Sequence, residues 1–310
     1  MKLKTIHLII LIGIFGVFSF NYNGSIKISP PSEEKAEGDT LRYIFLGHTY
    51  RWGSTPPNYK VDLRVEGLNY ANFDRIWLGG DILSEAMLHE HSVGYIDSIF
   101  DLGDPSTQYA LGNHDTRNGN IQYYWNYTGR KSYNVFSDKG VVSICMNSQL
   151  NPSNCEDLNN QFDLIKGVCD TIQTASHLFI TMHSCLFYGV PNIPNPATFG
   201  HTNFEHWNAN CDSSNTSFAE VIYPLLKQVN ALGIKVYVIM GDTGSTVKAY
   251  HQVAEDSIHF FANGINNSKY TDPIELAAQP RDRVLIFDHI PATQEVTWQF
   301  HELDSLFNAQ

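Results

Sequence analysis

Apolar runs that stop at polar tips set the rhythm of this chain. Residues 42–46, 76–78, 107–111, 178–182 and 236–240 are short, β-rich and almost wholly apolar. Such runs read as strands buried on both faces, the usual state inside a parallel sheet. Between them, 60–72, 84–100 (Met87, Leu88, Tyr95, Ile96 and Ile99 inward), 162–172 and 218–232 carry apolar positions at helical spacing. Residues 133–136 and 141–146 flank Ser137-Asp138-Lys139-Gly140 and predict a hairpin. In the last third the pattern changes, and 247–253, 258–262, 284–287 and 295–300 read as antiparallel strands. Strands alternating with helices predict an α/β fold over 41–310. A long segment at about 187–215 interrupts this order, and loops of that length often have a function.

Each apolar run ends on chemistry. The tips are His48, Asp81, Asn113-His114-Asp115, His183 and Asp242. In open α/β sheets the C-terminal ends of neighbouring strands share one rim, where ligands bind. Each residue alone has an ordinary use, as a turn, a helix cap or a satisfied core histidine. Their recurrence at five strand ends points to one shared site of imidazole, carboxylate and amide groups. That donor set suits a hard or borderline divalent ion.

The order of these motifs resembles the calcineurin-like metallophosphoesterase family. Gly80-Asp81 looks like its second motif, Gly112-Asn113-His114-Asp115 matches its third, and His183 sits at its fourth. The resemblance covers roughly residues 41–265. It implies a four-layer α/β/β/α sandwich and hydrolysis of phosphomonoesters or phosphodiesters with divalent metals (Mn, Zn or Fe). Asp81 would then bridge two metals, Asn113 and His183 would bind the second, and His114 would face the substrate, held by Asp115.

Two motifs depart from the family pattern. The first, Asp-x-His, is here Phe45-Leu46-Gly47-His48-Thr49-Tyr50, with His48 in the Asp slot and Tyr50 in the His slot. A register two residues off puts Leu46 and His48 there instead. The last, Gly-His-x-His, is Gly241-Asp242-Thr243-Gly244. One metal site keeps Asp81, Asn113, His183 and Asp242; the other keeps Asp81 and His48, with Tyr50 as a third group. This predicts one firm metal and a second that is weak or absent, unless His48 and Asp242 are a reciprocal exchange. Two readings follow: a metal-dependent phosphoesterase, with His114 and Asp115 catalytic, or a surface binding protein on the same fold with reduced catalysis. His201, His206, Trp207, Arg51 and Trp52 are further candidates for substrate contact.

Composition narrows the partners. Of 310 residues 43% are hydrophobic, enough for a sizeable core, and the formal charge is −12. The lack of a basic cluster argues against nucleic acid as the main partner, and a nuclease of the same family is the weakest reading. The expected partner is a small phosphate ester. Residues 1–20 place Lys2 and Lys4 before an apolar run at 8–20, which predicts a signal peptide or membrane anchor. Residues 21–40 read as a linker. The chain is then exported, whether periplasmic, surface-bound or secreted, and only the N-terminal segment meets a membrane. Of the five cysteines, an exported chain could pair four; isolated buried thiols are the other reading.

Overall fold

The computed structural model describes residues 40–186, 189–194, 211, 217–243 and 247–309. In chain order the elements are β1 (Leu41–Leu46), α1 (Leu63–Glu66), β2 (Arg75–Leu78), α2 (Glu90–Phe100), β3 (Thr107–Tyr109), α3 (Asn113–Thr116) and α4 (Ile121–Thr128). Then come β4 (Asn134–Asp138), β5 (Val141–Cys145), α5 (Cys155–Thr171), β6 (His177–Met182), α6 (Tyr223–Ala231) and β7 (Lys235–Met240). The chain closes with β8 (Ala249–Val253), β9 (His259–Asn263), α7 (Pro273–Ala277), β10 (Arg283–Ile290), β11 (Glu295–Glu302) and α8 (Leu303–Asn308). Residues 37–310 form one compact unit.

Two mixed sheets flanked by helices make up an α/β fold. One runs β11-β10-β1-β2-β3 and the other β4-β5-β6-β7-β9-β8. β1, β2 and β3 are parallel, as are β5, β6, β7 and β9. The parallel strands therefore send their C-terminal ends the same way within each sheet. The outer strands β11, β10, β4 and β8 pair antiparallel.

Strand alternation sorts the core into three clusters. Tyr43, Phe45, Trp77 and Phe287 of the first sheet meet Phe179, Tyr237, Ile239 and Phe261 of the second. Their rings interlock, with Trp77–Phe179 centroids 4.9 Å apart and Phe179–Phe287 5.1 Å apart at 83°. The alternate positions Ile44, Leu46, Ile76 and Leu78 pack with Val93, Ile96 and Phe100 of α2 and with Tyr124 of α4. On the second sheet Leu178, Ile180, Val236 and Val238 pack with Leu158 and Ile165 of α5 and Leu226 and Val229 of α6.

The hairpin forms where expected, with Lys139 and Gly140 both at positive φ in its two-residue turn. Helix boundaries differ more. The helical spacing over 60–72 yields only α1, because Gly67 closes it by donating to Leu63, and a separate 3-10 turn at Tyr70–Asn72. The pattern at 84–100 splits, since His89 is extended between a 3-10 turn and α2. The helix predicted over 162–172 begins earlier, at Cys155. Residues 218–222 wind as a π-turn before α6.

Cys155 forms a disulfide with Cys211, with Cα atoms 5.7 Å apart. Cys145, Cys169 and Cys185 are buried thiols on β5, on α5 and after β6. One pair forms where two could have. No helix among the described residues is long and apolar enough to cross a membrane. The expectations for 1–39, and for His201, His206 and Trp207, lie outside the described residues.

Candidate metal centre

The two sheets meet backbone to backbone at the rim where their parallel strands end. A Cβ on Gly241, after β7, would overlap the carbonyl and Cα of Gly79, after β2; one on Gly47, after β1, would lie 2.6 Å from the Cα of Gly241. Only hydrogen fits between these chains. Asn263, at the end of β9, adds a stitch by donating from Nδ2 to the carbonyls of Phe45 and Arg283, both 3.2 Å away. The close approach brings the tips of both sheets within reach of one another.

His48, Asp81 and Asp242 converge there, all buried, with one ligand atom from each within 4.8 Å of the others. This buried His/Asp/Asp cluster could hold a metal ion. His48 and Asp81 both sit at positive φ, +53° and +52°. Non-glycine residues pay a steric cost in that region, and such strain gathers at functional sites.

His183 completes the cluster. Its Nε2 lies 3.2 Å from Asn113 Oδ1, 3.5 Å from Asp81 Oδ1 and 3.8 Å from Asp242 Oδ1. The other carboxylate oxygen of Asp81 faces His48 Nε2 at 3.9 Å. Asp81 thus stands between two imidazoles, one on each side. Ligand atoms around a tetrahedral ion of zinc type lie roughly 3.3–3.6 Å apart. The separations around His183 Nε2 bracket that range.

The far nitrogens of both rings are tied to carbonyls, which only accept. His183 Nδ1 donates to Gly79 O at 2.9 Å, and His48 Nδ1 donates to Ile265 O at 3.3 Å. Each bond leaves Nε2 as the atom offered to the cluster. Metal-ligating histidines are commonly held this way. Burial disfavours a charged His183 ring, but Asp81 and Asp242 outweigh it and raise its pKa to about 9. The His183 imidazolium then balances part of the charge of Asp81 and Asp242.

The expectation that Asp115 holds the His114 imidazole is corrected. The buried Asp115 carboxylate accepts from four backbone amides: Asp81 at 2.6 Å, Ile82 at 2.9 Å, Leu83 at 3.3 Å and Gly112 at 2.9 Å. It shapes the loop that carries Asp81. Burial, then the Asp81 charge, pushes its pKa up to about 7, while the Gly112 amide opposes. Gly112 is required as well, because a Cβ there would collide with the Asp81 carboxylate.

His114 has other partners. Its backbone amide donates to Asp81 Oδ1 at 2.9 Å. Its ring stacks on Tyr50, with centroids 4.9 Å apart at 28°, and Arg117 donates to its Nε2 at 3.3 Å. Burial lowers the His114 pKa, Arg117 lowers it further and Asp81 opposes. The ring is therefore neutral near pH 7. Tyr50 packs against His48 at 4.7 Å, and burial with the Asp81 charge raises its pKa, so it offers a neutral phenol.

The rim thus gathers His48, Asp81, Asn113, His114, His183 and Asp242. Arg51 stands apart: it is exposed, its amide pairs with Lys60 O, and its charge acts on Tyr95. Trp52 is half-exposed at 38% and lies 5.2 Å from Tyr50. Arg117 was missed by sequence reading. Its signal was a place three residues after His114, on the same side of a helical turn. No family model matches the chain, and no curated protein matches it.

Proposed function

We propose that this chain is a metal-dependent phosphoester hydrolase with a metallophosphoesterase-like four-layer α/β/β/α arrangement. The observation that carries the reading is the donor set at the rim. Two histidines with Nε2 presented, two aspartates and an asparagine come from strand ends of both sheets, and they include the Gly-Asn-His-Asp stretch. The aromatic cluster between the sheets and the helix-packed clusters on their other faces support the layered arrangement.

His183, Asp81, Asn113 and Asp242 would hold one ion; His48 with Asp81 would contribute to a second. A bound divalent ion supplies Lewis acidity and an activated water. The chain's own groups do the rest. Asp81 faces both imidazoles, so one carboxylate serves both halves of the site. Arg117 and His114 lie on the outer side, where a phosphoryl group would arrive. Arg117 would neutralise phosphoryl oxygens, and His114, stacked on Tyr50 and accepting from Arg117 at Nε2, would hold that guanidinium toward them.

The test is phosphate release from p-nitrophenyl phosphate by protein loaded with Mn²⁺, Zn²⁺ or Fe²⁺. Turnover that Asp81→Asn and His183→Ala abolish supports the reading. A second reading, a phosphoester-binding protein without turnover, is favoured by Asp115, since the carboxylate expected to orient His114 is committed to backbone. Metal-dependent ligand binding with no phosphate release would select it.

A further inference from the structure

Beside the rim, an aromatic ladder leads outward to a half-exposed indole. From the buried ring of His48 the steps are Tyr50 at 4.7 Å and then Trp52 at 5.2 Å, with His114 stacked on Tyr50 as a side rung. The mechanism gives Trp52 no task. Its amide is held by Ser268 Oγ at 3.2 Å, and the Lys269 ammonium lies 5.3 Å from its ring centroid. Two cations therefore flank the ladder, Arg117 at the His114 end and Lys269 at the Trp52 end. Both are exposed in a chain of charge −12.

Arg117 is the informative one. Its guanidinium donates to His114 Nε2 at 3.3 Å, and no carboxylate pairs with it among the described residues. Guanidinium groups match phosphate oxygens with two parallel donors. An indole presents a broad flat face on which a planar ring stacks.

Resting on the hydrolase reading for where the phosphoryl group sits, we infer that Arg117 and Trp52 form a substrate subsite. Arg117 receives the phosphoryl oxygens, and Trp52 stacks a planar ring carried by the esterified alcohol. The substrate class is a phosphate monoester of a nucleoside or aryl alcohol, with Lys269 adding positive charge beside the ring.

Calorimetric titration of the full chain tests this with four probes: adenosine 5′-monophosphate, phenyl phosphate, glycerol 2-phosphate and inorganic phosphate. The two ring-bearing probes are expected to bind about tenfold tighter than the two without rings, of the order that one stacked ring contributes. Trp52→Ala removes that preference and Trp52→Phe keeps most of it. Arg117→Gln weakens all four probes alike, and Arg117→Lys restores part of the loss. Adenosine 5′-monophosphate ahead of phenyl phosphate identifies a nucleoside source; equal binding identifies a simple aryl ring. Equal binding of ring-bearing and ringless probes to the native chain overturns the subsite, as does a Trp52→Ala loss that spares neither class. Ring-dependent binding without turnover removes the hydrolase and keeps the subsite, whereas turnover without ring preference does the reverse.

Discussion

His183 Nδ1 donates to the carbonyl oxygen of Gly79 across 2.9 Å, joining the loop after β6 to the loop after β2. This bond decides which nitrogen enters the cluster. Asp81 and Asp242 then hold a proton on Nε2 up to about pH 9. A metal ion must displace that proton. Metal affinity is therefore expected to rise with pH up to about 9, with about one proton released per ion at pH 7. Calorimetry in buffers of different ionisation enthalpy reads the proton count directly. The folded pKa is raised above the ordinary histidine value. Its stabilisation of the chelated protein is thus complete below about pH 6.5 and lost as pH rises through 9.

Asp115 and His114 adjoin in sequence but differ in consequence. Asp115→Ala leaves four backbone amides without their acceptor inside the fold, an expected loss on the order of 3–5 kcal/mol in urea denaturation. His114→Ala removes a half-buried ring and is expected to cost about 1 kcal/mol. Equal stability of the two variants would return Asp115 to the role of an imidazole orienter.

Gly241→Ala places a methyl group into the backbone of Gly79. The rim cannot close around it without moving β7 relative to β2. The expected cost is about 3 kcal/mol, together with loss of metal binding, because the two halves of the cluster come from different sheets. Thermal unfolding and metal retention of the variant check both.

Histidines inside the β-sheet region set the response to acid. Burial, with Lys235 and His289, lowers the His177 pKa to about 3; burial, with Arg75, lowers that of His289 to about 4. His289 Nδ1 is hydrogen-bonded to the Tyr43 hydroxyl at 2.6 Å. A histidine depressed in the folded state binds protons more readily when unfolded. Its stabilisation is present above about pH 6.5 and lost as pH falls toward 4. The urea midpoint is expected to fall across that window, less steeply in a His177→Phe, His289→Gln double variant.

The strands and their tips were legible because buried parallel strands are written as unbroken apolar runs, and the residues after them are not. The short helices were not. α3 is the Asn113–Thr116 turn itself, while α7 and α8 span five and six residues, too brief to show a period. The site was legible as a set of residue types but not as a set of bonds. Nothing in Gly112-Asn113-His114-Asp115 says that the last carboxylate turns to the amides of 81–83, a choice made by backbone more than 30 residues away. Nor does the sequence reveal that Gly79 and Gly241 touch, since that contact exists only once the sheets have packed.

On the proposed reading the strand ends of both sheets would build one metal site. Elemental analysis of the purified chain, after equilibration with Mn²⁺, Zn²⁺ or Fe²⁺ and gel filtration, gives the stoichiometry directly. At least one tightly held ion per chain is expected, lost in Asp81→Asn and in His183→Ala. No bound ion, or an ion retained by both variants, would contradict it.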